Sequence, residues 1–332
     1  MIINPKVMTC IEITEPGGPE VLKPTSRPIP QPDDGEVLLE VKAAGINRPD
    51  CIQRQGHYAP PTGVTDIPGL EVAGEIISIG AGVQNHKIGD LVCALISGGG
   101  YAKYAVAPAI QCLPIPKNLS MIEAASLPET FYTVWFNVVD RAELKTGESI
   151  LIHGGSSGIG TSAIQICSQL GARVITTAST KEKCKVCSNL GAERTINYHE
   201  EDFVLASKDF TDGKGLDVVL DMVGGEYLQR NIKSLGQDGR HISIAFLSGA
   251  KAHINFMPIM LKRIILTGST LRPLSIRRKG EIADSLRRVI WPLIEKGKIM
   301  PVVHSIFSLE QATKAHALME SNKHIGKIIL VP

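Results

Sequence analysis

The amino-acid sequence predicts an α/β protein in which a Rossmann-type, doubly wound parallel sheet is joined to a discontinuous β-barrel domain. Three observations carry that expectation. One is a strand–turn–helix stretch over residues 148–169. Another is the strand–helix alternation that follows it as far as residue 267. The last is the texture of the first third, where short strands are punctuated by Gly and Pro. At 332 residues the chain is also too long for one ordinary domain and comfortable for two.

Taken in order, residues 7–13 alternate as a first strand and stop at the turn Pro16-Gly17-Gly18-Pro19. Pro28, Pro30 and Pro32 keep the next connection extended. Residues 36–44 form a strand of period two, with Val37, Leu39 and Val41 on one face. Further strands are expected over 69–79, 91–95 and 101–106, separated by Gly80-Ala81-Gly82, Lys87-Ile88-Gly89-Asp90 and Gly98-Gly99-Gly100. Short strands at such spacing read as a barrel. From Ser120 the texture turns helical: Ser120-x-x-Glu123 is a capping box, and residues 130–139 lead into the second domain.

That domain is organised around one turn. Residues 149–153 read as a buried strand, Gly154-Gly155-Ser156-Ser157-Gly158-Ile159-Gly160 as the turn, and residues 161–170 as a helix. A strand that turns sharply into a helix aims backbone N–H groups and the positive helix end at one spot, which suits a pyrophosphate. Gly155 and Gly160 fill the first and third positions of G-x-G-x-x-G, while Ser157 takes the second. Its hydroxyl either bonds a phosphate or merely fits the turn. Gly155, Ser157, Gly158, Ile159 and Gly160 are the candidate phosphate contacts.

The end of the next strand, residues 173–178, bears on which cofactor fits. An NAD site usually carries Asp or Glu about 20 residues past the glycines. Here that position is Ala178-Ser179-Thr180, with Lys181 and Lys183 next and Tyr198 beyond. A missing acid removes a clash with a 2′-phosphate, and a lysine supplies charge to hold it. NADPH is the expected cofactor, with Lys183 and Tyr198 as contacts; the alternative is that both lysines are ordinary solvated helix residues. Strands follow over 216–221, 239–245 and 263–267, then amphipathic helices over 282–296 and 309–321 and a closing strand over 326–331 that returns to the first domain. The expected domains are residues 1–129 with 271–332, and 130–270.

Hydrophobic content of 43% and charged content of 20% are those of a globular protein. A net charge of +2 without a basic tract does not point to nucleic acid or a membrane surface, and no apolar run approaches the ~20 residues that span a bilayer. Residues 1–6 lack the charged and apolar regions of a signal peptide, so a cytoplasmic protein is expected, with Met8 as a candidate start and the residues before it a frayed extension. Seven scattered cysteines read as free thiols, and Cys184-x-x-Cys187 has no second pair at metal-site spacing.

Several motifs make the chain resemble the medium-chain dehydrogenase/reductase superfamily and, within it, the zinc-free quinone oxidoreductases. They are Ala44-Gly45-Ile46-Asn47-Arg48-Pro49-Asp50, Gly69-Leu70-Glu71, Lys87-Ile88-Gly89-Asp90, the stretch from Ile152 to Gly160, and Ile325-Gly326-Lys327. Arg54-Gln55-Gly56-x-Tyr58 and Ile196-Asn197-Tyr198 are similar to the p53-inducible branch. The resemblance implies that the first domain is GroES-like. Zinc alcohol dehydrogenases of this fold have Cys, His and Cys where this chain has Asn47, Leu70 and Glu129 or Thr130, a set that cannot bind catalytic zinc. It further implies that Asn47 and Tyr58 line the nicotinamide pocket, that Thr133 sits near the nicotinamide, and that Phe246, Ser269, Thr270 and Leu271 approach the carboxamide. Family members close the C-terminal end of the cleft with Asn or Arg where this chain has His324. They are usually homodimers joined edge to edge, which would place residues 263–268 (Arg263 to Gly268) at the interface. The apolar run Ile264, Ile265, Leu266 favours such pairing independently, because an open edge of this kind aggregates.

Without a metal to polarise a carbonyl, oxidation of plain alcohols is disfavoured. The chemistry that remains is hydride transfer from NADPH to an electron-poor acceptor, a quinone or activated enone, with Tyr58 able to donate to the substrate oxygen. The plainer reading is that Asn47 caps a turn and Tyr58 packs. An enone or enoyl-thioester double-bond reductase and a non-catalytic NADPH-binding protein are the alternative functions.

Overall fold

The computed structural model describes residues 6–332, so the frayed extension expected ahead of Met8 lies, for residues 1–5, outside the described residues. The chain divides into two units, Met1–Tyr132 with Arg272–Pro332, and Thr133–Leu271. The junctions fall between 132 and 133 and between 271 and 272, where the sequence reading has 129/130 and 270/271; the first lies inside the helix Pro128–Val134.

The first unit opens with β1 (Val7–Ile13), β2 (Leu22–Pro28), β3 (Glu36–Ile46), β4 (Glu71–Ile79), β5 (Leu91–Leu95), β6 (Tyr104–Pro108) and β7 (Cys112–Pro114). The second carries β8 (Ser149–Ile152), β9 (Arg173–Ala178), β10 (Arg194–Asn197), β11 (Leu216–Asp221), β12 (Leu235–Ser243) and β13 (Ile265–Gly268). The chain then returns to the first unit with β14 (Val303–Ser308) and β15 (Lys327–Val331).

In the first unit one sheet runs β14-β15-β3-β4-β5-β7, with β6 also on β3. β15 lies antiparallel to β3, Ile329 opposite Gly45, so the C-terminal strand completes a sheet begun by the N-terminal segment. Leu39, Val41, Ile46, Val72, Ile76 and Ile328 fill its core. β2 departs from the sequence reading, which has only an extended connection here: it contains Pro24 and Pro28, yet pairs with β1 in a separate two-stranded sheet. A two-stranded sheet has an open side on which a missing N–H costs nothing. The strand expected over 101–106 begins only at Tyr104, since Tyr101 turns inward and is fully buried. The helix expected over 282–296 is two helices, Ile276–Val289 and Trp291–Glu295. Pro292 lacks the N–H that would continue the first, and Ser275 accepts from Arg278 N to start it earlier.

In the second unit the strands run β10-β9-β8-β11-β12-β13, every neighbouring pair parallel. Helices Gly158–Gln169, Lys181–Asn189, Phe203–Phe210 and Tyr227–Ser234 make the crossovers. Strand order reverses between β8 and β11, which leaves a crevice outside their carboxyl ends. Leu151, Ile175, Ile196, Val219 and Ile232 are fully buried between the layers. β13 ends the sheet, with Ile265 56% and Leu266 36% exposed, whereas Ile264 is 7% exposed and belongs to the core. Only two of the three expected apolar residues therefore face outward.

Glycine at the β8 turn is required by packing. A Cβ on Gly155 would stand 2.1 Å from Thr176 Oγ1 on β9, and one on Gly160 would stand 2.3 Å from the carbonyl oxygen of Gly154. Gly155→Ala is expected to destabilise the protein by ~1–3 kcal/mol through this overpacking, measured as a lower urea midpoint. An unchanged midpoint would show that the turn has slack.

Candidate active site

In the second unit the turn leads directly into the helix Gly158–Gln169, whose N-cap is Ser157. Ser157 Oγ accepts from Gly160 N at 3.0 Å and turns its own proton toward Met222 Sδ at 3.7 Å. The hydroxyl therefore serves as a cap, with a weak acceptor opposite its proton. The amides of Gly158 and Ile159, first in the helix, have no acceptor within it. Gly155 and Gly160 let this helix start close against β9 and the turn backbone, and the capped N-terminus with its outward amides fits a pyrophosphate.

Beneath the turn lies a buried polar network that sequence reasoning missed. Asp221, at the end of β11, accepts from Val223 N at 2.7 Å and from Asn231 Nδ2 at 3.1 Å. His241 Nε2 stands 3.2 Å from the same carboxylate, and His153 Nε2 stands 2.8 Å from Asn231 Oδ1. Burial works to raise the Asp221 carboxyl, yet the bond from His241, the two histidines facing it and the bond from Val223 N hold it below the usual range. Burial keeps His153 neutral. The loop carrying Phe246 is tied to the loop after β11 by Leu247 N to Met222 O (3.1 Å) and Ser248 N to Val223 O (2.8 Å). Phe246 itself is 54% exposed.

Tyr198 follows β10 and bonds through its amide to Ala178 O at 3.1 Å, so it stands at the position where an acid is missing. Lys183 is partly buried in the first turn of the helix after β9, capped by Thr180 Oγ1 at 3.2 Å. Lys181 is exposed and pairs with Glu200 at 3.8 Å. Thr133 and Ser269 are joined by a residue the sequence reading passed over: Asn137 Nδ2 donates to Thr133 O at 2.9 Å, and Ser269 Oγ donates to Asn137 Oδ1 at 2.7 Å. Asn137 sits in the wide π-type turns Trp135–Arg141 and is fully buried; a lone amide inside that apolar run was the available signal. Thr270 is exposed and Leu271 buried.

In the first unit Asn47 N-caps the helix Arg48–Arg54, its amide donating to Asp50 Oδ2 at 2.8 Å. Its side chain is engaged at both ends: Nδ2 donates to Glu71 Oε1 at 2.8 Å and Oδ1 accepts from Lys327 Nζ at 2.6 Å. Lys327 spends its other protons on Glu71 Oε1 (2.6 Å) and Ile46 O (3.1 Å). Glu71 Oε2 accepts from Glu129 N at 2.8 Å. This buried pair has every donor and acceptor used, the condition under which two buried charges are tolerated. It gives Asn47 a positioning task within this network, beside its place as N-cap. Burial beside the Glu71 carboxylate pushes the Glu129 carboxyl up to about 8.

A second buried chain of bonds crosses the same unit. Arg54, 1% exposed, donates to Gly17 O (3.0 Å), Glu320 Oε1 (2.5 Å) and His316 Nδ1 (3.2 Å). With Nδ1 accepting, His316 Nε2 donates to Tyr101 Oη at 2.9 Å, and Tyr101 donates to Asp50 Oδ2 at 3.1 Å. Tyr58 is partly buried with Arg272 5.2 Å above its ring, and burial followed by the Glu129 charge raises its hydroxyl. His324 is buried with its ring edge-on to His304, 6.4 Å between centroids.

Catalytic zinc does not fit these residues. Leu70 offers no ligand, and the Asn47 side chain is committed to Glu71 and a lysine ammonium. Among the described residues no three His, Cys, Asp or Glu side chains converge to hold a metal.

Two family models match: an alcohol dehydrogenase GroES-like domain over residues 33–117 and a zinc-binding dehydrogenase domain over 158–288. The chain is 33% identical to the quinone oxidoreductase of Rattus norvegicus over 336 aligned residues, covering all of both. It belongs to the quinone oxidoreductases of the medium-chain dehydrogenase/reductase superfamily. Its fold is similar to the solved Escherichia coli quinone oxidoreductase complexed with NADPH, with a TM-score of 0.87, 32% identity, and 98% and 100% of the two chains covered. A mycobacterial protein complexed with NADPH aligns with a TM-score of 0.88 at 30% identity, covering 98% and 100%. Asn47 and Leu70, the positions that offer no zinc ligand, lie within the span of the GroES-like match.

Lys327→Met leaves Glu71 buried and uncompensated and is expected to cost ~3–5 kcal/mol, with Glu71→Gln in the same chain recovering most of it; chemical unfolding of the single and double variants decides. Glu129 gives a pH signature. Its carboxyl titrates at about 8 when folded against the usual 4.5, so the folded chain keeps a proton that the unfolded chain releases, and stability falls as pH rises through that window. Glu129→Gln is expected to gain melting temperature over the parent from about pH 5 to about pH 8 and to hold a constant lead above it. A pH-independent difference would contradict the buried acid.

Proposed function

We propose that this protein is an NADPH-dependent quinone reductase that works without a metal. The observation that carries the reading is the β8 turn, where Gly155 and Gly160 pack so closely against β9 and the turn backbone that the helix starts directly at the strand's end, with the amides of Gly158 and Ile159 left without acceptors in the helix. Gly155, Ser157, Gly158, Ile159 and Gly160 would hold the pyrophosphate, Lys183 and Tyr198 the 2′-phosphate, and Thr133, Phe246, Ser269, Thr270 and Leu271 the nicotinamide end. The relatives named as quinone oxidoreductases, and the neighbours solved with NADPH, support the acceptor class and the cofactor. Bound NADPH supplies a hydride. The chain's own task is to orient an electron-poor acceptor and deliver a proton. Tyr58 has the group for it, since a raised hydroxyl keeps its proton at neutral pH.

The assay is loss of NADPH absorbance with 1,2-naphthoquinone, 1,4-benzoquinone, an alkenal and crotonyl thioester. Fast turnover confined to the quinones is expected; preference for the thioester or alkenal would make this a double-bond reductase. Tyr58→Phe is expected to lower kcat by ~10²-fold while leaving the KM for NADPH unchanged, and unaltered kcat would remove Tyr58 from the mechanism. We also place a homodimer at β13, where Ile265 and Leu266 adjoin the helix Met257–Lys262, whose Met257, Met260 and Leu261 are all exposed. Light scattering is expected to show a dimer that Ile265→Lys converts to a monomer; a monomeric parent would refute it.

A further inference from the structure

Arg272 is 6% exposed and sits against Tyr58, within the first unit. Its Nε donates to Ser97 O at 2.7 Å, Nη1 reaches toward Tyr58 O at 3.5 Å, and Nη2 is buried with no hydrogen-bond partner. Lys279, 3% exposed, donates through Nζ to the Arg272 carbonyl at 2.7 Å and to Ser97 Oγ at 3.3 Å. Two buried cations are thus held beside each other, and among the described residues neither forms an ion pair. The acidic groups that face them are Glu129, Asp50 and the Tyr58 hydroxyl. Glu129 keeps its proton at neutral pH, so it neutralises little of that charge.

A buried charged donor without an acceptor is costly, and such a group in a folded protein calls for an explanation. Packing does not supply one. Nε already anchors the guanidinium, and a neutral side chain would fill the same volume without the orphaned N–H. The wall on this side is the Tyr58 ring, carried on irregular chain between the helix Arg48–Arg54 and β4, with His57 and Ala59 exposed on either side. That ring is only partly buried and belongs to neither hydrophobic core.

We propose that Arg272 is a catalytic residue whose Nη2 binds the acceptor's oxygen and stabilises the anion formed there when hydride is taken up. This rests on the reductase reading and narrows its substrates to acceptors whose reduced form is a delocalised oxyanion. The electron count is simple. A quinone takes up a hydride, two electrons and one hydrogen, and becomes the hydroquinone monoanion. Arg272 donates a hydrogen bond to that oxygen without giving up its proton. One proton, from the Tyr58 hydroxyl and replaced from water, completes the hydroquinone. A donor already in place for a developing oxyanion is the arrangement that lowers such a barrier most.

The test uses 4-nitrophenol, a stand-in for the monoanion whose yellow ionised form reports its own titration when bound. In the full-length protein with NADP⁺, the bound phenol is expected to ionise ~1–3 pH units below its value in free solution. Arg272→Lys is expected to keep part of the shift and Arg272→Met none. Near-UV circular dichroism checks that the Met variant is folded; if it is not, the parent shift and the Lys variant decide. No saturable binding, a parent shift of zero or upward, or a full shift in folded Arg272→Met would overturn the proposal. If the parent reduces quinones yet shows no shift, Arg272 alone is refuted. If the shift appears without quinone turnover, the reductase reading fails and the catalytic role falls with it.

Discussion

Between β8 and its helix, two positions of the backbone leave room for nothing larger than hydrogen. Gly155 lies against Thr176 of the neighbouring strand and Gly160 against the carbonyl of Gly154. The close approach lets the helix start directly above the end of the strand, capped by Ser157, with its first amides outward. The rest of the second unit is arranged around that point. Asp221 and Asn231 gather the ends of β8, β11 and β12 into one buried network, and backbone bonds carry the order on into the Phe246 loop. Such a network is satisfied only when those strands end together, so it specifies the layout of the carboxyl edge.

The first unit solves a different problem, the placement of buried charge. Lys327, from the last strand, sits between Asn47 and Glu71, which come from far earlier in the chain. Of the positions where zinc dehydrogenases of this fold were expected to differ, Asn47 is held in this network: an amide, a carboxylate and an ammonium satisfy one another. The ion pair joins the closing strand to β3 and β4 while its neighbours, Glu129 and Asp50, are pushed toward their neutral forms. Charge at the Tyr58 end of the unit is left to Arg272 and Lys279.

Much of this was legible in the sequence because it rests on local rules. Strand-to-helix alternation, the turn glycines and the Ser120 capping box each depend on a few consecutive residues, and β1, β5, β9 and β11 appear where their patterns place them. The errors have equally local causes: the prolines of β2 hide a strand on an open edge, and Pro292 splits a helix that periodicity alone would continue. What stayed hidden is long-range. Nothing adjacent in sequence announces that Lys327 meets Glu71, that Arg54 reaches Glu320, or that Asn137 bridges Thr133 and Ser269. Arg272 was invisible for the same reason, since its significance lies in one N–H without a partner.

The most direct measurement is calorimetric titration of the protein with NADPH and, separately, with NADH. The proposed cofactor site predicts one saturable site per chain, with NADPH bound tighter by about tenfold or more, a difference of ~1.4 kcal/mol from the extra phosphate. Equal affinity would mean that Lys183 and Tyr198 hold no phosphate. Absence of binding by either nucleotide would contradict the reading of the turn itself.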